Sequence, residues 1–303
     1  MSSFSRAVRG CGLALVALLA GRSNAQPAPP GPTPSPPVRV TFSSAGAGMN
    51  DLPIGAYRVP DSNIVVSGHQ KGSLAGVLFG VLGVLAENAV DTQVNKGAVG
   101  GARSALHFDV AKQAEDDTRA ALQSGRYGQA FSLDGGSDVP AMTVYAYASI
   151  TFVSDTEVRP YVILKAVLKP SGGRQQTQRY ICCAGEALPL AGDNGLTANG
   201  GERLQRILTH EADEAVNLML TDTAHPYPRD EQRLVSVDAH QPFVRNRLRL
   251  TGYELSEDQD SIIFLPKIGK GAFVFYGVQK MDKATISYHP ATRKDDAFKV
   301  LPN

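Results

Sequence analysis

Among the residues able to do chemistry, Glu211 is the most conspicuous, because it falls in the middle of an apolar stripe. With Leu204 set at zero on a helical wheel, Leu208, Ala215, Leu218 and Met219 surround it. A carboxylate there must be paired, neutralised or open to a cleft. Two readings stand: a salt bridge to a strand arginine such as Arg179, or an acid of raised pKa lining a pocket. His210 and Glu214 are one turn apart, a spacing that suits a shared metal, but His210-Glu211-Ala212-Asp213-Glu214 lacks the second histidine of HExxH. That spacing therefore reads as solvated helix face, and no metal or cofactor is expected.

Arg245, Arg247 and Arg249 alternate with Val244, Leu248 and Leu250, which puts three guanidiniums on one strand face. They offer bidentate contacts to anions such as lipid phosphates, or pair with Glu254, Glu257, Asp258 or Asp260 nearby. Cys182 and Cys183 are adjacent and point to opposite faces of a regular strand, so two buried thiols are expected ahead of a strained vicinal disulfide, and that ahead of an intermolecular bond. Asp134-Gly-Gly-Ser-Asp138 and Asp193-Asn-Gly195 lack the full calcium-loop ligand series and read as turns. No serine-hydrolase elbow, Walker loop or dinucleotide fingerprint occurs. No catalytic residue is assigned.

A different chemistry belongs to Gly72, Gly76, Gly80 and Gly83, which share roughly 80° of arc on a helix, with Leu74, Leu78, Val81 and Leu85 opposite. Four helical glycines cost about 3 to 4 kcal/mol relative to alanine, and close approach of another backbone would offset that. The apolar run Gly72 to Ala86 reaches only about 22 Å, short of a hydrocarbon core of about 30 Å. The expected use is packing against a second helix, a membrane surface, an envelope protein or another copy of the chain. The spacing is similar to that of glycine-zipper envelope proteins, over one segment of about fifteen residues.

The elements that position these residues divide the 303-residue chain as follows. Residues 1–25 read as a signal peptide, with Arg6 and Arg9 ahead of an apolar run and Ser23-Asn24-Ala25 as the cleavage site. Residues 26–37 form a proline-rich tether, 38–101 an N-terminal region with the glycine helix, 102–230 an α+β region and 231–303 a β-rich region. Strands are expected at Val38 to Phe42, Asn63 to Ser67, Met142 to Val153, Tyr161 to Lys169 and Arg174 to Cys183. Five more follow after Leu234. Helices are expected over 102–123 and from an Asn199 cap to His225. The expected fold is α+β: a glycine-rich helical hairpin, a mainly antiparallel sheet with one amphipathic helix, and a separate C-terminal β-rich unit.

Removal of the signal, which holds three arginines and no acid, takes the formal charge from +1 to 1 − 3 = −2. A near-neutral chain argues against nucleic acid as a partner. The sequence thus points to an exported protein of the periplasm or outer membrane, non-enzymatic and using its glycine face for association. The alternative is a soluble periplasmic enzyme or small-ligand binder with a cleft near Glu211.

Overall fold

The computed structural model describes residues 37–43, 49, 52–53, 55–68, 96–97, 103–134, 139–171, 173–183, 185–268 and 276–302. These belong to one compact unit that begins at Pro36. The glycine stretch Gly72 to Gly83 lies outside the described residues, as do the expected signal peptide and most of the tether.

Three strands form the centre: β5 (Ala141–Phe152), β6 (Glu157–Lys169) and β7 (Gln176–Cys183). They are antiparallel neighbours, with Ala141 opposite Lys169 and Tyr161 opposite Cys183. Tyr161 to Leu164 is buried throughout, as expected of a strand apolar on both faces. The turn between β5 and β6 closes on itself, the Ser154 hydroxyl accepting from the Glu157 amide at 3.0 Å.

One edge of β5 is shared in parallel by β1 (Val38–Ser43) and, further along, β3 (Ile64–Ser67). Short strands β2 (Tyr57–Arg58), β4 (Phe131–Ser132) and β8 (Leu188–Pro189) extend β3, β1 and β6. Beyond β7 the sheet continues through β12 (Val278–Asp282), β11 (Ser261–Pro266), β10 (Val244–Glu257) and β9 (Leu234–Gln241), with β13 (Ser287–Pro290) outside β9 and β14 (Phe298–Val300) on β10.

This corrects the expected fold. The C-terminal strands are not a separate unit: β12 pairs in parallel with β7, Lys280 opposite Cys182, so the fourteen strands of the described residues form one mixed sheet. The expected helical hairpin is not shown either. The helix after the glycine segment, α1 (Val110–Gln123), packs on the second long helix α2 (Glu202–Ala224), with contacts to β5 and β1. Tyr127, just past α1, reaches the Asn217 carbonyl and the Thr221 hydroxyl of α2. The apolar stripe of α2 was legible; what each helix packs against depended on strand order.

Local signals set the helix ends. Asp109 caps α1, its carboxylate accepting from the Lys112 amide at 3.0 Å. Asn199 does not cap α2: it sits at φ 51° in a 3₁₀ turn, and α2 begins three residues later after Gly201 at φ 88°. A side chain on Gly201 would strike the Ala105 carbonyl, so the chain turns there on a residue without Cβ. Leu204, Leu208, Ala212, Ala215, Leu218 and Met219 are buried against β6 and β7.

The far part of the sheet also touches the near part. The β9–β10 turn brings the Phe243 amide to the Thr151 hydroxyl at 2.9 Å, and Thr151 in turn meets the hydroxyls of Ser149 (3.0 Å) and Ser67 (3.2 Å). These hydroxyls are buried and mutually satisfied, which offsets their desolvation.

Candidate functional site

Helix α2 lies over one face of β6 and β7, and its apolar stripe leaves one polar interruption at Glu211. Below it, Cys182 on β7 and its register partner Lys280 on β12 face the same side. Asp282, two residues on, does likewise. The turn from β10 to β11, Asp258 to Ser261, closes the end. Together they enclose a cleft of about 540 Å³ whose wall also includes His210 and Glu214. Its volume falls inside the range of small-ligand sites, about 300 to 1,000 Å³.

Each carboxylate of this cleft has a different situation. Glu214 is ion-paired with Lys280 Nζ. Asp258 is tied into its turn: Oδ1 accepts from the Asp260 amide (2.9 Å) and the Ser261 amide (2.6 Å), and Oδ2 from the Ser261 hydroxyl (2.8 Å). Those bonds, the Ser261 hydroxyl first, hold its pKa below the ordinary carboxylate value. Asp282 Oδ1 accepts from the Ala284 amide at 2.8 Å.

Glu211 stands apart. It is 7 % exposed, and among the described residues no hydrogen bond or salt bridge holds it, to Arg179 or to any other group. Burial pushes its pKa up to about 7, with the Glu214 charge adding to the rise and Lys280 opposing it. Its carboxyl group therefore changes charge near neutrality. Five acids (Glu211, Glu214, Asp258, Asp260 and Asp282) face one lysine around the cleft, so its field is negative.

The other sequence candidates are placed as follows. His210 is exposed at the rim, while Glu214 is turned inward to Lys280 rather than left in water. Among the described residues no group of three or more His, Cys, Asp or Glu is arranged to hold a metal ion. Cys182 and Cys183 are both free thiols. Cys182 is 1 % exposed on the cleft side; Cys183 stands opposite Tyr161 and lines both this cleft and a smaller cavity beside Tyr161. Burial, ahead of every other influence, pushes the Cys183 thiol up to about 12, so it stays protonated at neutral pH.

The arginine strip is turned on the protein's own acids. Arg249 grips Asp238 with both ends of its fork, Nε to Oδ1 at 2.6 Å and Nη2 to Oδ2 at 2.7 Å. Arg247 donates to the Asp238 carbonyl at 3.1 Å, and Arg245 pairs with Asp155 at 2.7 Å. A register shift between Val244 and Arg247 breaks the regular alternation. Neither acid was among the partners expected from proximity in sequence, since Asp155 comes from the β5–β6 turn and Asp238 from β9. Sequence reasoning also missed Lys280, Asp282 and the Asp258–Ser261 turn as walls of the cleft. The only signal for them was β-rich patterning.

No helix among the described residues is long and apolar enough to cross a membrane, which leaves strand-built membrane crossings unaddressed. No protein-family model matches the chain, and comparison with curated proteins found no match.

Proposed function

We propose that this is an exported envelope protein that binds a small cationic ligand, one bearing an amine or guanidinium group, in the cleft beside Glu211. The observation that carries the reading is the Glu211 carboxyl group itself. It is buried in the wall of a roomy cleft, unpaired among the described residues, and surrounded by four further acids. An unpaired buried carboxylate costs stability unless a counter-charge arrives. A ligand ammonium supplies that charge, with Asp260 and the Glu214–Lys280 pair setting its orientation.

Binding of a cation favours the ionised carboxylate, so it releases a proton when Glu211 starts protonated. Affinity then rises with pH through about 7, the value to which burial brings this group. Calorimetric titration of the mature chain with 1,4-diaminobutane, arginine and a neutral polyol at pH 6 and pH 8 tests the reading. The expected result is saturable binding of a cation, tighter at pH 8, lost in Glu211→Gln, and no binding of the polyol. Equal response of wild type and Glu211→Gln to every cation would overturn it.

A further inference from the structure

On the opposite face of the sheet from the cleft, Arg159 and Tyr161 of β6 point the same way as Cys183 of β7, which is the register partner of Tyr161. His240 from the end of β9 and Thr285 and Ile286 from the turn after β12 close over them. The result is a small chamber of about 10 Å³, room for a single body the size of a water molecule or a halide.

Two donors in this chamber lack acceptors. Arg159 is 6 % exposed and its Nε has no hydrogen-bond partner; the Tyr161 hydroxyl, 2 % exposed, also has none. That hydroxyl lies close enough to the Arg159 guanidinium and the Cys183 thiol to interact with both, but it completes a well-formed hydrogen bond with neither. A guanidinium keeps its charge at any ordinary pH, and a buried charge without a counter-charge is costly. Among the described residues no acid lines the chamber. Burial keeps the Cys183 thiol and the Tyr161 hydroxyl protonated, and burial followed by repulsion from Arg159 drops His240 to about 4, leaving the ring neutral. His240 Nδ1 is engaged with the Arg245 carbonyl at 3.2 Å. Burial opposes the Arg159 charge, yet its surroundings, Asp282 among them, raise its pKa overall; Asp282 forms no ion pair with it, and Lys280 at the chamber's edge adds positive charge.

We propose that this chamber is a structural site for one small monovalent anion, chloride in solution, held by the Arg159 guanidinium and the Tyr161 hydroxyl. A carboxylate or phosphate ligand is too large for the space, and a neutral water would satisfy the hydroxyl while leaving the charge bare. The bound ion would lock β6 and β7 to the far arm of the sheet, since the chamber walls come from β6, β7, β9 and the segment after β12. The proposal does not rest on the cationic-ligand reading, although Cys183 and Lys280 line both cavities.

The test compares thermal unfolding of the mature chain in sodium chloride, sodium bromide and sodium gluconate at equal ionic strength. Bromide-grown crystals then locate the ion by anomalous scattering. Occupancy about tenfold above the dissociation constant should raise Tm by about 3 °C in either halide over gluconate. A bromide peak should lie between Arg159 and Tyr161. Tyr161→Phe, which keeps the ring packing, should need several-fold more halide for the same rise, and Arg159→Met should show none. Should Arg159→Met fail to fold, the Tyr161→Phe titration and the bromide peak decide. Identical Tm in halide and gluconate with no bromide density in the chamber means that water alone fills it, and the proposal is wrong; so does a halide effect that Tyr161→Phe leaves unchanged.

Discussion

Replacing Glu211 by Gln tests the central electrostatic claim without a ligand. In the folded chain burial brings this carboxyl group to about 7, against an ordinary value of 4.5. The folded state therefore holds its proton more tightly than the unfolded state, so stability falls as pH rises from about 4.5 and levels off above about 7. At about 1.4 kcal/mol for each pH unit, the contribution lost across that window is about 3 kcal/mol. Gln keeps the shape and removes the ionisation. Urea unfolding at pH 5 and pH 8 should show the variant close to wild type at pH 5 and more stable by as much as about 3 kcal/mol at pH 8. The slope in urea should be unchanged, because the surface exposed on unfolding is the same. A variant less stable than wild type by about 1 kcal/mol or more at pH 8 would show that Glu211 is a paired, stabilising carboxylate. That result would refute both the desolvation argument and the cleft reading built on it.

Other outcomes follow from particular contacts. Asp222→Ala removes the acceptor of the Tyr180 hydroxyl and of the Tyr227 amide, both at 3.1 Å, and should cost about 2 to 3 kcal/mol in chemical denaturation. Thr151→Val leaves the Phe243 amide without an acceptor and should lower stability by about 1 to 3 kcal/mol, with amide exchange faster at Phe243 than in β6. Gly252→Ala drives a Cβ into the Leu265 carbonyl of the neighbouring strand, and a loss of about 2 kcal/mol or more is expected by the same assay. If the glycine face of Gly76 and Gly80 carries association, as proposed from its spacing, Gly76→Leu and Gly80→Leu should change the sedimentation or membrane partition of the mature chain. Unchanged behaviour in both would retire that proposal.

Much of the local structure was legible because it depends on near neighbours. The alternation in Ala141–Phe152, the doubly apolar run in Glu157–Lys169 and the stripe from Leu204 to Met219 each register in a short window. Asn199 misled because its side chain suits a cap, whereas Gly200 and Gly201 at positive φ let the chain turn for two more residues before the helix begins. The fold class failed on pairing. Nothing in the pattern of Val278–Asp282 distinguishes an edge of a small C-terminal sheet from a strand lying parallel to Gln176–Cys183, nearly a hundred residues earlier.

The same division runs through the site. Glu211 was recognisable from its own helix, because a charge in an apolar stripe violates the periodicity around it. Whether it met Arg179 or a cleft was open, since that depends on which strand end lies beneath α2. Lys280, Asp282 and Asp258 arrive there only because β12 joins β7, and Arg159 is stranded as a buried cation only because β9 and the turn after β12 fold over its face. Periodicity reports which side of an element avoids water. Hydrogen-bonded pairing between distant strands selects what occupies the space on that side, and here it placed Glu211 among other acids in a cleft and Arg159 in a small chamber with no acid in its lining among the described residues.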